Sequence, residues 1–212
     1  MTDDRQAEIL PGDRFDAVIV GAGFTGLYML HVLRQKGFTA RLVDAASGVG
    51  GTWYWNRYPG ARCDIESMQY SFQFSEELQQ EWEWTERYAS QPEILAYIEH
   101  VAERFDLTRD IQFDTRVEAA TFNEDTGEWM VETDRGQALH ARYFIMGVGC
   151  LSAPIKPTFE GEADFTGETY QTSIWPKEPV DFKGKRVGII GVGSSAIQAG
   201  PLIAEEAEHV YI

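Results

Sequence analysis

The chain has 212 residues, of which 43% are hydrophobic and 25% are charged, and 18 lysines and arginines against 34 aspartates and glutamates leave a net charge of −16. This composition is typical of a globular protein and excludes a mainly disordered chain, while the length suits one well-buried domain and part of another. The acidic balance argues against nucleic acid and anionic membranes as partners. An anionic cofactor can still bind, because it needs only local backbone donors and one or two arginines.

Residues able to form disulfides or bind metals are sparse. Cys63 and Cys150 lie far apart in the sequence, so no disulfide framework is expected and a reducing, cytoplasmic setting fits best. The acidic N-terminus MTDDRQAEILPGDR predicts no export signal, and Ala17–Leu33 carries too many glycines for a membrane span. No metal site is expected, because the histidines lack ligand spacing and are predicted to be surface or edge residues: His31, His100, His140 and His209.

The first predicted elements are a strand, a tight turn and a helix. Phe15–Val20 is a short apolar run, GAGFTG follows at once, and YMLHVLRQKG predicts a buried helix ending at Gly37. Ala40–Val43 predicts the next strand, which ends on Asp44. This order is that of a βαβ unit that binds a dinucleotide.

The spacing Gly21, Gly23, Gly26 matches the dinucleotide fingerprint. Gly21 permits the tight turn, Gly23 lets the backbone approach a pyrophosphate, and Gly26 lets the helix pack on the strand. Asp44 stands eighteen residues beyond Gly26, where a carboxylate would accept hydrogen bonds from an adenosine ribose. The pattern therefore predicts an FAD or NAD(P) turn.

The middle of the chain is predicted as a loop, a helix and strands. Residues 48–63 are rich in Gly, Trp, Tyr, Arg and Pro without a period, which indicates an ordered functional loop. EELQQEWEW is interpreted as a solvated helix face, and Ser90 to Glu93 matches a capping box. Strands are expected within 111–147, the last of them returning to the central sheet. One helical face is predicted to be apolar through Ile94, Ile98, Val101, Ala102 and Phe105.

A second glycine turn follows a proline-rich connector. Four of the eight prolines fall between Leu151 and Lys183, which suits an extended segment. The strand RVGII then leads into a turn whose third glycine is alanine, a replacement that is common where NADP binds. The predicted NADPH-binding residues are Gly191, Gly193, Ser194, Ser195, Ala196 and Ile197.

The predicted fold class is α/β, with a Rossmann-like FAD-binding domain made of a parallel sheet plus an antiparallel meander, followed by the start of a second Rossmann-like NADPH domain. The predicted boundaries are 1–150 for the FAD-binding part, 151–183 for the connector and 184–212 for the first unit of the NADPH domain. Two dinucleotide turns in one chain indicate a flavoprotein that passes hydride from a nicotinamide to FAD.

The motifs GGTWYWNRYPGARCD (50–64) and FTGETYQTSIWP (165–176), with DIES, SEEL and RYFIM, resemble the type I Baeyer-Villiger monooxygenases over essentially the whole chain. The resemblance implies an enzyme in which NADPH reduces FAD and the reduced flavin activates O2, so that one oxygen atom is inserted next to a ketone carbonyl to give an ester or lactone. It implies that Asp64 positions a catalytic arginine and that Arg62 and Cys63 lie near the nicotinamide cofactor. The FAD contacts it implies are Thr25, Asp44, Thr52, Trp53, Tyr54, Trp55, Asp64 and Tyr70, with Val117 and Cys150 mainly through backbone.

Two departures from the family pattern stand out. Gln171 replaces the histidine of the fingerprint FxGxxxHxxxWP, and the chain is less than half the family's length, so it is expected to be an N-terminal portion that is inactive alone. The alternatives are a non-catalytic FAD-binding module, or an N-hydroxylating or flavin-containing monooxygenase. A disulfide reductase would need paired cysteines after the first unit, where only Cys63 stands. The ketone and the oligomeric state are left open.

Overall fold

The computed structural model of the chain describes residues 14–212. These residues form two compact units: the first comprises the chain up to Gly51 with Ile98–Cys150, and the second comprises Thr52–Tyr97 with Leu151–Ile212. The N-terminal residues on which the absence of an export signal was predicted lie outside the described part. The domain boundaries at 150 and 183 stay a prediction.

The first unit is built on a six-stranded sheet and one helix. Its elements are β1 Arg14–Val20, α1 Phe24–Gln35, β2 Ala40–Val43, β3 Ile111–Gln112, β4 Val117–Asn123, β5 Glu128–Thr133 and β6 Ala138–Met146. The strand order in the sheet is β3-β2-β1-β6-β5-β4. Its central strand β1 pairs in parallel with β2 on one side and with β6 on the other, while β4, β5 and β6 pair antiparallel. This confirms the predicted parallel sheet with an antiparallel meander, and the return of the last strand to the centre.

The apolar run of β1 explains its central position. Ala17, Val18 and Ile19 are fully buried in succession, as expected for a strand covered on both faces of a parallel sheet. Helix α1 ends near Gly37, whose φ of +78° is a conformation that glycine adopts without strain. The apolar sequence therefore places the following glycine turn at the carboxyl end of the central strand.

The second unit combines loops with a small parallel sheet. Strands β7 (Arg186–Gly188) and β8 (His209–Tyr211) pair in parallel, and helix α5 (Ser194–Glu206) connects them. The connector contains only two short 3-10 turns, at Glu162–Asp164 and Thr172–Ile174, in line with its proline content. The regular elements are α2 Thr52–Trp55, α3 Glu76–Glu81, α4 Gln91–Arg104 (which continues into the first unit), β7 Arg186–Gly188, α5 Ser194–Glu206 and β8 His209–Tyr211.

Several local expectations are corrected. The loop 48–63 contains the short helix α2, and the helix within EELQQEWEW is limited to α3. That stretch is only partly solvated, because Trp82 and Trp84 contact the Tyr97 ring, with centroids 5.3 and 4.9 Å apart. The reciprocal bond of the predicted capping box is not formed, since Glu93 Oε1 instead accepts from the Thr85 N–H at 2.7 Å.

The prediction that all four histidines are surface or edge residues is wrong for one of them. His31 is only 9% exposed, and its ring lies edge-on to Phe105 with centroids 4.8 Å apart. Burial, with a smaller contribution from the Arg34 charge, lowers the His31 pKa from its ordinary value of 6.5. A buried helix position can thus hold an imidazole when an aromatic ring covers it. Within residues 14–212 no helix is long and apolar enough to cross a membrane.

Candidate dinucleotide-binding sites

The first glycine turn requires glycine at two positions. Gly21 has φ of +103°, and a Cβ there would lie 2.5 Å from the Gly147 carbonyl oxygen. A Cβ on Gly26 would lie 1.8 Å from the Gly21 carbonyl oxygen. Both contacts are with backbone that the sheet holds in place, since Gly147 N–H donates to Val20 O at 2.8 Å. Any residue with a Cβ is therefore excluded at Gly21 and Gly26 by contact with the backbone.

The second glycine of this turn, Gly23, has one near neighbour, the backbone of Gly51. Gly23 is the N-cap of α1 without a side-chain capping bond, and the first turn of the helix carries no acidic residue. A Cβ on Gly23 would meet only Gly51, whose Cα lies 3.5 Å away. Thr25 is exposed in the same helical turn. The helix N-terminus thus offers backbone donors of the kind that bind phosphate.

Asp44 lies beside this turn at the carboxyl end of β2. Its Oδ2 accepts from the Ala22 N–H at 2.5 Å, and its Oδ1 accepts from the Ala46 N–H at 2.7 Å. The two bonds connect the end of β2 to the glycine turn. The predicted ribose carboxylate is therefore also part of the turn's own structure, a role that its sequence spacing alone did not indicate.

The second glycine turn is more open. Gly191 has φ of +113°, and Gly193 is the N-cap of α5 without a side-chain capping bond. A Cβ on either glycine would meet nothing within 4 Å. Ser194 and Ile197 are exposed, and the first turn of α5 again carries no acidic residue. Among the described residues, no group of three His, Cys, Asp or Glu side chains could hold a metal ion.

The predicted aromatic contacts lie on and after α2. Trp53 is buried and its Nε1 donates to the Tyr70 hydroxyl at 3.1 Å, whereas Trp55 is exposed. Tyr54 is also buried, and its hydroxyl accepts from Lys177 Nζ at 2.8 Å. Lys177 follows the fingerprint WP directly and was missed by sequence reasoning. No local pattern could have linked it to a tyrosine more than a hundred residues earlier.

The segment Arg62–Asp64 is bonded to residues 86–89 of the second unit. Cys63 is 6% exposed, its N–H donates to Ala89 O at 3.0 Å, and burial raises the pKa of its thiol. The Arg62 guanidinium pairs with Glu86 at 3.0 Å, while Asp64 is exposed. This arrangement presents the Asp64 carboxylate to solvent beside a fixed, uncharged thiol.

The residues that match the family fingerprint FxGxxxHxxxWP lie in two environments. Gln171 Nε2 donates to the Ile155 carbonyl at 3.0 Å, so the glutamine that replaces the family histidine bonds within the connector. Trp175 lies between the Tyr170 and Phe182 rings, with centroids 5.5 and 6.2 Å away, and packs against the apolar core of the second unit. The tryptophan is therefore a packing residue in this chain.

The predicted site residues divide between the two units. Val117, the half-buried first residue of β4, and Cys150, exposed beyond β6, share the first unit with the first glycine turn and Asp44. The remaining predicted residues lie in the second unit, together with Ala196 and Ser195 of the second turn, and comprise Thr52, Trp53, Tyr54, Trp55, Arg62, Cys63, Asp64, Tyr70, Gly191, Gly193, Ser194 and Ile197.

The sequence model of the family described as pyridine nucleotide-disulphide oxidoreductase matches residues 18–212. The chain belongs to this family. It is 46% identical over 197 residues to an acetone monooxygenase (methyl acetate-forming) of Gordonia sp., covering 93% of this chain and 37% of that protein. It is 49% identical over 202 residues to a Baeyer-Villiger monooxygenase of Pseudooceanicola batsensis, covering 95% and 37%. A solved structure of oxidized steroid monooxygenase bound to NADP matches with TM-score 0.90 and 58% identity, covering 93% of this chain and 38% of that one.

These relatives confirm the resemblance to Baeyer-Villiger monooxygenases and the Rossmann-like α/β fold. The chain spans about 37% of the length of the curated relatives it matches. The family description also names disulphide oxidoreductases, whose chemistry requires a pair of cysteines. Cys63 and Cys150 are both free thiols, so the described residues contain no such pair.

Proposed function

We propose that this chain belongs to a flavin-dependent monooxygenase of the Baeyer-Villiger type, which uses FAD, NADPH and O2 to insert one oxygen atom next to a ketone carbonyl. The observation that carries the proposal is the first turn, where backbone contacts exclude any Cβ at Gly21 and Gly26 and the following helix is uncapped. The name of the Gordonia relative supports the reaction, since methyl acetate is acetone with one oxygen atom added between the carbonyl and a methyl group.

The residues present fit an FAD pyrophosphate at the first turn. Gly23 has no side chain to keep a phosphate from the backbone, and no side-chain cap or acidic residue competes for the first N–H groups of α1. Each carboxylate oxygen of Asp44 accepts one backbone bond and keeps a lone pair for a ribose hydroxyl. The same reasoning supports NADPH at Gly191–Ala196, because α5 is also uncapped and free of acidic residues in its first turn.

Bound FAD would supply the oxygen chemistry, and the chain's residues would hold and shield it. Trp53, fixed by its bond to Tyr70, and Tyr54, fixed by Lys177, are assigned to FAD by the resemblance and would exclude water there. Asp64 is assigned to orient the cation that stabilises negative charge as it develops during the reaction. Its exposure leaves the carboxylate accessible to such a cation.

A chimeric enzyme tests the proposal. The 197 matched residues of the Gordonia acetone monooxygenase would be replaced by those of this chain. We expect the chimera to bind FAD, seen in its visible absorption spectrum, and to form methyl acetate from acetone in an NADPH-dependent reaction. Asp64→Asn in the chimera should keep the flavin but slow product formation by about two to three orders of magnitude, because a fixed charge is lost.

Two results would contradict the proposal. A chimera that folds and binds FAD but neither oxidises NADPH nor forms ester would favour the non-catalytic alternative. Oxidation of amines in place of ketones would favour an N-hydroxylating enzyme. The 212-residue chain alone is the matched negative control, since we expect it to form no ester without the rest of the acetone monooxygenase.

We also propose a cytoplasmic setting, which the free thiols support. In intact cells a membrane-impermeant maleimide should leave the exposed Cys150 unmodified until lysis. Modification before lysis would overturn this assignment.

A further inference from the structure

Gln198, on the first part of α5, binds the loop 57–64 through its side-chain amide. Its Nε2 donates to the Arg62 carbonyl at 3.1 Å, and its Oε1 accepts from the Arg62 N–H at 3.4 Å. The same Oε1 accepts from the Tyr58 hydroxyl at 2.9 Å. The amide thus pairs with both backbone groups of one residue, as a neighbouring strand would.

The loop also contacts the backbone of α5. Gly60 has φ of +74°, and a Cβ there would lie 2.5 Å from the Gln198 carbonyl oxygen. On its other side the loop is held by backbone bonds from Gln91 N–H to Ala61 O at 2.7 Å and from Cys63 N–H to Ala89 O at 3.0 Å. The position of the segment Arg62–Asp64 is therefore set by bonds on both sides of the loop. Gln198 supplies the side-chain bonds on the α5 side.

A further bond links this arrangement to the second glycine turn. Ser195 Oγ donates to the Tyr58 hydroxyl at 3.2 Å, and that hydroxyl donates to Gln198. Ser195 lies in the turn to which the proposed function assigns the dinucleotide phosphates. A change at Ser195 can thus reach the Arg62 backbone through two side chains.

We propose that Gln198 is a positioning residue that fixes the segment Arg62–Asp64 against α5, so that dinucleotide binding at the second glycine turn is transmitted to this segment. The transmission rests on the proposed function for dinucleotide binding at the second glycine turn, whereas the positioning role rests on the contacts of Gln198 alone. Gln198 lies outside the glycine-turn pattern, and its partners precede it by well over a hundred residues, so sequence reasoning did not single it out. Glutamine suits the task because a carboxylate of the same shape could accept both bonds to Oε1 but could not donate to the Arg62 carbonyl.

The buried thiol of Cys63 reports on the segment, and the exposed Cys150 is an internal reference. The 212-residue chain would be treated with N-ethylmaleimide, and modification at each cysteine followed by peptide mass spectrometry. We expect Gln198→Ala to speed modification of Cys63 relative to Cys150 by at least about tenfold, because the lost bonds raise the population of locally opened loop. Gln198→Glu, which loses only the donor, should give an intermediate rate.

Two variants make the result specific. Tyr58→Phe removes the hydroxyl but keeps the ring in the apolar core of the second unit, so it should raise the Cys63 rate without unfolding the chain. Gln80→Ala, an exposed glutamine on α3, is the matched control and should leave the Cys63 rate unchanged. Equal Cys63 rates in wild type, Gln198→Ala and Tyr58→Phe would overturn the positioning role.

The transmitted effect has its own readout. In the wild type, NADP+ should slow the modification of Cys63. The Gln198→Ala variant should bind NADP+ with an affinity within about threefold of the wild type, a small change in binding free energy. In this variant, however, bound NADP+ should no longer protect Cys63. Equal protection in both proteins would mean that NADP+ shields Cys63 directly, and would overturn the transmission. If the wild type binds no NADP+, the transmission is refuted together with the proposed second cofactor site, whereas the rates measured without nucleotide still decide the positioning role.

Discussion

The two glycine turns share a sequence pattern but differ in what surrounds them. The first follows β1, a strand paired on both sides within a six-stranded sheet, and its glycines contact backbone. The second follows β7, a three-residue strand paired with β8 alone, and a Cβ on its glycines would meet nothing. Apolar residues around it are strongly exposed, among them Ile190 at 79%, Val192 at 76% and Ile197 at 70%.

This difference separates two reasons for a glycine. At Gly26 the protein itself excludes a side chain, so the residue is required for folding whether or not a cofactor binds. At Gly193, whose backbone is extended, neither packing nor conformation requires glycine among the described residues, so only a ligand could. The same motif therefore carries a packing constraint at Gly26 that is absent at Gly193, while Gly191, with φ of +113°, is still constrained by its backbone conformation.

The largest expected effect is a difference in stability between a variant with one methyl group added to the first turn and a variant with one added to the second. Gly26→Ala should lower the free energy of unfolding by about 3 kcal/mol or more, because its Cβ would overlap the Gly21 carbonyl. Gly193→Ala should change it by less than about 1 kcal/mol. Urea unfolding followed by circular dichroism measures both. Similar losses of unfolding free energy in the two variants would show that packing does not distinguish the two glycine turns.

A second test separates folding from binding within the first turn. Gly23→Val should abolish FAD binding, because a branched side chain would fill the space through which a pyrophosphate reaches the backbone. The fold should survive, since the Cβ position meets only Gly51 Cα at an ordinary distance. Flavin content after reconstitution gives the result, with the circular dichroism spectrum as the control for folding. Equal flavin content in wild type and variant would show that the phosphates bind elsewhere.

A smaller effect should appear in the pH dependence of the first unit. Because burial lowers the His31 pKa, below pH 6.5 the unfolded chain binds a proton that the folded chain does not. Folding should therefore become less favourable as the pH falls from 7 to 5, and His31→Leu should remove this component. The variant's unfolding free energy minus that of the wild type should rise over this range. If the unfolding free energies of the two proteins changed equally with pH, His31 would not be a buried neutral imidazole.

The smallest effect is expected in the connector. Gln171 donates to the Ile155 carbonyl, a bond that a histidine N–H can also make, so the bond should matter more than a proton. In the chimeric enzyme Gln171→His should change the rate of flavin reduction by NADPH by less than about tenfold, or about 1.4 kcal/mol. Stopped-flow absorbance measures this rate. A hundredfold faster histidine variant would mean that the positive charge is needed.

The sequence was sufficient for features that depend on neighbouring residues. Strand β2 at Ala40–Val43, the C-terminal end of α1 and both glycine turns follow from apolar periodicity and from glycine's freedom at positive φ, and these are set within a few residues. The return of β6 to the central sheet also followed, because an apolar run is favoured where a sheet is covered on both faces, whereas the strand order was not predicted. The local errors arose where a short apolar or aromatic stretch, such as α2 or Trp82, could pack in more than one way.

Only the tertiary structure decided which side chains act together. The clash that requires Gly21 comes from Gly147, the partner of Tyr54 is Lys177, and the backbone of Arg62 is held by Gln198. Each contact joins positions more than a hundred residues apart, and neither residue of a pair has a local preference that names the other. Such contacts depend on how the sheet and helices bring distant segments together, which is why the sequence by itself determined the two turns and the fold determined what each turn is connected to.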